Sequence, residues 1–405
     1  MTRISHLNDR VKMLSVPTTI RHKSIKTTTL KSCSFFIYIL GNFKLSLKIV
    51  FLKKNKNMKK PSPIIPLFNQ FIKETETGKR LKKNGEKIKP DSIQNYKYVL
   101  NNLIRFSSET KFELRICDAS KLDKRELTSE KSYWKKFYQK FTEFLYKKGC
   151  HDNYVGANIK VIRVFFNYLK NDKDLNTGDF QRLFYVRKEE IEIFVLSPEQ
   201  LKFLIHDKEF EQTLIPSYKR IKDIFVFGCT TGLRYSDIFL LTNKNFEKIE
   251  GEWYLKLKSK KTKTFSFIKL SAYAVTIFQR YTISNNKATL FGNTSLFNFN
   301  KSLKQIGELA GFTTPIEVSR EKQGKTQRIT KKTDTAKNRF CDKMSSHMMR
   351  RTAITTLLIL GMPEHLVRKI SGHSHASTSF NRYVHYAQAY MDKEIEMVHS
   401  KLESY

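Results

Sequence analysis

Thr231-Gly232-Leu233-Arg234-Tyr235-Ser236-Asp237 is the stretch on which the fold turns. The apolar run Ile221–Gly228 reads as a buried helix entering the turn Thr230-Thr231-Gly232. An arginine therefore stands just past a tight turn, with Asp237 three residues on. Downstream, His347-Met348-Met349-Arg350 sets an imidazole and a guanidinium at i, i+3, on one face of a helix. Ser371-Gly372-His373-Ser374 follows, and Tyr383 lies ten residues after His373 in Asn381-Arg382-Tyr383-Val384-His385. Taken singly these motifs are weak. T-G-L-R arises by chance, H-x-x-R on a helix is usually a surface pair, and a tyrosine in an amphipathic stretch is usually packing.

The whole chain bounds the answer. Its 405 residues are enough for two or three domains with buried cores. It carries 75 Lys and Arg against 38 Asp and Glu, a formal net charge of +37. Such an excess calls for a polyanion, with nucleic acid first, and disfavours an all-acidic catalytic pair. A hydrophobic share of 40% with 31 Phe and 18 Tyr excludes a disordered polycation. Cys33, Cys117, Cys150, Cys229 and Cys341 are odd in number and scattered, with no C-x-x-C. That pattern argues for a reducing cytosol rather than a disulfide framework or a zinc site. Phe35–Leu40 is the most apolar stretch, and its loose continuation to Leu52 is broken by Lys44 and Lys48. It falls short of the roughly 20 apolar residues of a membrane span, so no membrane partner is expected.

Residues 1–57 hold twelve Lys and Arg against Asp9 alone, which places 11 of the net charges there. Either this is a basic arm gripping phosphates, or translation begins at Met58 and the segment is a mis-called start.

From 64 to 170 the periodicity is helical. Leu67/Phe68 and Phe71/Ile72 recur at i+3 and i+4, and Ile93, Tyr96, Leu100 and Leu103 share a stripe over Asp91–Phe106. Asp91, directly after Pro90, is the expected N-cap. Further helices are expected over Tyr133–Lys147 and Tyr154–Leu169, the latter with Ile159, Ile162, Phe166 and Leu169 inward. Residues 171–195 lose the apolar period and read as a linker. A helix with Leu201 and Leu204 inward should then start at Ser197-Pro198-Glu199-Gln200, with Ser197 as cap and Gln200 closing a capping box. Trp253–Lys258 and Phe265-Ser266-Phe267 alternate with period two around a Lys/Thr turn, a β-hairpin. Helices are expected again over Ser271–Tyr281, over Asn300–Gly311 and from Ser346, the last after a basic structureless stretch, Arg320–Lys343. The fold class is mainly α with a small sheet: a helical domain, then a larger domain over 196–390. A tail helix over 391–405 would carry Ile395, Val398 and Leu402 on one stripe.

In this order and at these intervals the motifs closely resemble the tyrosine recombinase (phage integrase) family. The likeness covers Ser197–Val384 by motif, and more loosely Pro66–Lys170, as that family's helical (SAM-like) core-binding domain. Leu233–Asp237 with Arg350-Arg351-Thr352 looks most like integrases of Bacteroidetes mobile elements.

The resemblance implies site-specific recombination: strands cut and rejoined through a 3′-phosphotyrosyl intermediate, for integration, excision or inversion, with no metal and no cofactor. Tyr383 would be the nucleophile, with Tyr386 and Tyr390 as nearby competitors. Arg234 and Arg350 would bind the scissile phosphate, a role that planar guanidinium forks suit. His347 and His373 would contact the phosphate and assist proton transfer near neutral pH. The family's hairpin lysine, the proton donor to the leaving oxygen, aligns with Lys261, although Lys260 and Lys263 crowd the same turn and Lys269 stands where the family has proline. Asp237 is either a group orienting Arg234 or a helix cap. A loop of one dominant sign, with Lys322, Lys325, Arg328, Lys331, Lys332, Lys337 and Arg339, would follow the DNA backbone with Lys260, Lys263 and Lys79–Lys89. The implied partner is double-stranded DNA, clamped between the two domains. The protein would be a monomer in free solution and a homo-tetramer on paired sites, acting in the bacterial cytoplasm at the nucleoid. The tail would pack on a neighbouring protomer or on its own domain. A type IB topoisomerase-like enzyme and a non-catalytic DNA-binding relative are the alternatives.

Overall fold

The computed structural model describes residues 61–260, 264–283, 289–329 and 338–403. The basic segment 1–57 lies outside them, as do Lys261, Lys263, Lys331, Lys332 and Lys337.

The first half is helical, as its periodicity requires. β1 (Ser62–Pro63) leads into α1 (Ile64–Glu76), which buries Phe68, Phe71 and Ile72. α2 (Pro90–Thr110) takes Lys89 as its cap and Pro90 as its first residue, so Asp91 sits in the first turn and not at the cap. Proline's fixed φ and missing N–H suit that first position. β2 (Arg115–Ile116) pairs antiparallel with β1. α3 (Lys124–Lys147) starts nine residues before the expected Tyr133, at a capping box in which Asp123 accepts from the Glu126 N–H and Glu126 from the Asp123 N–H. Of those extra residues only Leu127 and Glu130 face inward and the rest are polar or charged and mostly exposed, so no apolar period announces them. α4 (Asp152–Asp172) buries Ile159, Ile162, Phe166 and Leu169 as expected. The core is aromatic, with edge-on pairs such as Trp134–Phe166, whose centroids are 4.9 Å apart. Phe180 and Phe184 join that core, so the first part of the expected linker is packed structure.

The second half opens where the capping box announced it. In α5 (Pro198–His206) Ser197 accepts from the Gln200 N–H and Gln200 from the Ser197 N–H. α6 (Lys208–Thr213) and α7 (Pro216–Thr231) follow, and α7 packs against α5. α8 (Tyr235–Ile238) is one short turn. β3 (Phe246–Ile249), β4 (Glu252–Lys258) and β5 (Phe265–Lys269) form an antiparallel sheet in that order, one strand more than the expected hairpin. α9 (Ala272–Ile283) and α10 (Leu296–Leu309) each lie against α7.

The stretch Arg320–Lys343 departs from its reading as structureless. β6 (Ser319–Lys322) and β7 (Lys325–Arg328) form a hairpin that docks on the first domain. Asp152, at the start of α4, accepts from the Gln323 and Gly324 N–H groups at 2.8 Å each and from the Tyr146 hydroxyl. Glu189 accepts from Arg320 Nε and Nη2 at 3.1 and 2.6 Å and from the Glu321 N–H at 2.7 Å. Both acids are buried. Burial opposes the charge on Glu189, but Arg320 and the backbone donors of Glu321 and Asn153 outweigh it and hold its carboxyl below the usual range.

α11 (Ser346–Ile359) crosses α7 closely enough that a Cβ on Gly228 would sit 2.5 Å from Met349 Sδ. α12 (Glu364–Ser371) and α13 (Thr378–Glu403) complete the chain. The expected tail helix is thus the far end of the helix that carries Tyr383. Ile395 and Val398 are each more than half exposed there.

Candidate active site

The site begins at the end of α7. Gly232 closes that helix in the left-handed conformation, and Arg234, half-buried, opens α8. Asp237 is buried one turn on, and it caps nothing. Its Oδ2 accepts from Ser259 Oγ at 3.0 Å and its Oδ1 from the Lys260 N–H at 3.1 Å. Arg234 Nη1 donates to Ser259 Oγ at 3.2 Å and lies 3.9 Å from Asp237 Oδ2. Asp237 therefore orients Arg234 largely through Ser259, and fastens the start of the lysine turn to the same point. Ser259 escaped the sequence reading. Its one signal is strand alternation, which puts it on the inward side with Leu255 and Leu257. Lys260 is exposed, and Lys269 pairs with Glu252 at 3.1 Å.

α11 brings the second arginine to the first. Arg350 is buried; its Nη1 donates to the Gly232 carbonyl at 2.9 Å and its Nη2 to the Ser371 carbonyl. Nη2 also lies 3.3 Å from His373 Nδ1, and Ser371 Oγ is 2.8 Å from the same nitrogen. Burial and then the neighbouring Arg234 push the Arg350 guanidinium down to about 10. It is a cation held at a cost, which an anion would relieve. His347, one turn before it on α11, is exposed at the helix start.

The G-H motif has a conformational cause. Gly372 ends α12 at φ 62°, its N–H donating to the Lys369 carbonyl and that of His373 to the Arg368 carbonyl. This pair of bonds is a Schellman cap. A Cβ on Gly372 would also lie 2.9 Å from Thr264 Oγ1 on the lysine hairpin, so only glycine fits both demands. His373 is thereby turned toward Arg350. A guanidinium can only donate, so Nδ1 faces Arg350 as an acceptor, while the same nitrogen meets Ser371 Oγ, whose proton goes to the Val367 carbonyl. Burial first, then Arg350, Arg234, Arg368 and His347, lower His373 to about 4. That is well below the neutral-pH titration expected of it.

Tyr383 is buried on α13 among Ile354, Val367 and Phe380, its ring centroid 6.0 Å from that of His373. The competitors face elsewhere. Tyr386 is pushed up by burial and then by Glu192, and the Tyr390 hydroxyl reaches Glu199 at 3.3 Å.

The structure thus brings Arg234, Asp237, Arg350, His373 and Tyr383 together, with His347 at the rim. The loop cations do not gather there. Arg320 is committed to Glu189, Arg328 pairs with Glu317, and Arg339 reaches Glu308 at 2.6 Å, while Lys325 is exposed. Among the described residues, no group of three or more His, Cys, Asp or Glu could hold a metal ion. No helix among them is long and apolar enough to cross a membrane.

Two arginines, an imidazole beside Arg350 and a tyrosine ring against that imidazole make up the candidate site. Residues 195–389, just under half of the chain, match the phage integrase family. Among solved structures the chain is similar to the Tn1549 transposon integrase in complex with a circular intermediate DNA, at 14% identity and a TM-score of 0.52, over 82% of this chain and 99% of that one. It is similar also to a lambda integrase dimer bound to a COC′ core site, at 12% identity and a TM-score of 0.51, over 78% and 94%. At these identities the likeness is one of fold. No curated protein matches the sequence.

Proposed function

We propose that the protein cuts and rejoins double-stranded DNA through Tyr383. The tyrosine oxygen bonds to the scissile phosphorus and loses its proton; the phosphorus–5′-oxygen bond breaks. A 3′-phosphotyrosyl link and a free 5′-hydroxyl result. The link keeps the energy of the original ester, so attack by a 5′-hydroxyl reseals the strand without ATP. Arg234 and Arg350 neutralise the charge that builds on the nonbridging oxygens. His373 contacts the same phosphate, as does His347 from the rim. Lys261 protonates the leaving 5′-oxygen. The observation that carries this reading is the contact set of Arg350, whose guanidinium spans the Gly232 carbonyl and His373 while that histidine packs on Tyr383.

Four protomers on two paired sites would exchange strands, each a monomer in free solution. The apolar stripe of Ile395 and Val398, exposed on α13, supports packing on a neighbouring protomer. Integration, excision and inversion share this chemistry, and the action would be at DNA in the bacterial cytoplasm.

The test is a nicked duplex that traps the covalent intermediate, its sequence recovered by selecting adducts from a random library. Wild type is expected to form a covalent protein–DNA adduct, and Tyr383→Phe to form none. Binding without adduct on every recovered duplex would favour the non-catalytic alternative.

A further inference from the structure

The buried cation nearest the histidine loop has no place in the chemistry just described. Arg368 on α12 is 7% exposed, and its five N–H donors meet five acceptor contacts. Nε donates to Glu364 Oε1 at 2.7 Å, and Nη2 lies 2.6 Å from the same oxygen. Nη1 donates to the carbonyls of Ser374 and His375 at 3.1 and 3.4 Å, which lie in the loop just past His373. Nη2 donates to Asn381 Oδ1 at 3.1 Å, two residues before Tyr383 on α13. The guanidinium carbon also sits 4.0 Å over the ring of Phe380. Phe380 in turn is 5.3 Å from the His373 ring and 6.0 Å from that of Tyr383. The Arg368 carbonyl takes the His373 N–H as well, so side chain and backbone of one residue grip both segments.

We propose that Arg368 is a positioning residue for strand cleavage, tying the loop that carries His373 to the helix that carries Tyr383 so that the two move as one body. The inference rests on the reading of Tyr383 as nucleophile. Nothing else on α12 could do the same. A lysine at this position has three donors on a point charge, and could neither fork between loop and helix nor lie flat on Phe380. The tie matters because loop and helix are separate elements, and a misplacement of about 1 Å between reacting groups costs on the order of 100-fold in rate.

The experiment measures the single-turnover rate of adduct formation on the nicked duplex at saturating DNA, with duplex affinity measured separately. Arg368→Met is expected to slow the adduct step about 100-fold with affinity within about threefold of wild type. Arg368→Lys is expected to recover less than about tenfold of that loss. Asn381→Ala removes an exposed end of the tie, so it tests the inference even where Arg368→Met fails to fold. It is expected to slow the step about tenfold, and in combination with Arg368→Met to add nothing further.

Wild-type rates for Arg368→Met and Asn381→Ala would overturn the proposal. So would a loss confined to duplex affinity, or a double variant slowed by the product of the separate effects. If instead Tyr383→Phe still forms the adduct, the reading of the nucleophile fails. A null Tyr383→Phe beside a wild-type Arg368→Met sinks the positioning role alone.

Discussion

His373 shows how a residue's surroundings change what its type implies. Imidazole ordinarily titrates near 6.5, which suits a proton shuttle, but here burial and then Arg350 hold it neutral down to about 4. Between those values the unfolded chain takes a proton that the folded one refuses. Stability from this group is therefore complete above pH 6.5 and lost as pH falls toward 4, by on the order of 3 kcal/mol at most. His373→Gln is expected to flatten that part of the stability curve. Urea midpoints at pH 7 and pH 4.5, taken for both proteins, measure it; equal acid losses would show that the ring is not held neutral.

Arg234, His347, Arg350, His373 and Tyr383 could be picked out of the sequence because, weak one by one, they stand together in the order and intervals of a known family. Ser259, Ser371 and Arg368 were not legible. Two of the five Arg368 contacts go to the carbonyls of Ser374 and His375, and every residue offers a carbonyl, so those ties leave no mark in the chain.

At the scale of elements, the crossing of α7 and α11 decides whether the arginines meet. Arg350 bonds the carbonyl of the residue that caps α7, so any widening of the crossing pulls it from Arg234. Gly228→Ala would place its Cβ 2.9 Å from Met349 Cβ and 3.0 Å from Ile238 Cδ1. Overpacking of this kind costs about 1–3 kcal/mol. The expected outcome is a modest fall in melting temperature with a much larger fall in adduct rate. A rate loss no greater than the stability loss would mean that the crossing is not what sets the site.

Element boundaries were readable where a cap announced them, as at Ser197-Pro198-Glu199-Gln200, and the stripe of α4 fixed its inward face. They failed where chemistry and period parted. The first turns of α3 offer Leu127 as their one inward apolar residue, so the Asp123–Glu126 box is the main signal there. Pro90 rather than Asp91 begins α2, because the proline satisfies the first-turn geometry itself.

At the scale of the molecule, the β6–β7 hairpin ties the second half of the chain to Asp152 and Glu189 in the first. Its charge reads as a DNA-following loop because charge is local information, whereas the acceptors it meets, Glu189 for Arg320 and Asp152 for the Gln323 and Gly324 amides, stand more than a hundred residues upstream. Glu189→Gln keeps the shape and removes the charge that Arg320 and the Glu321 N–H address. Hydrogen exchange at Glu321, Gln323 and Gly324 is expected to speed up about tenfold or more in that variant. Because the Glu189 carboxyl is held below its usual range, the contact is formed above that range and lost as pH falls through the lowered value. Wild type should therefore show the same quickening in acid. Unchanged exchange in both conditions would mean that the hairpin is held by something else.

That contact is addressed mainly to backbone. Of the hairpin's bonds to the two acids, those from Glu321, Gln323 and Gly324 come from main-chain amides, and Arg320 alone contributes a side chain. The outward side chains of the hairpin can thus diverge freely while the joint is conserved by shape. Any upstream half that keeps an acid at each of the two positions would offer this hairpin the same acceptors, which makes the joint a natural seam for recombining the two halves.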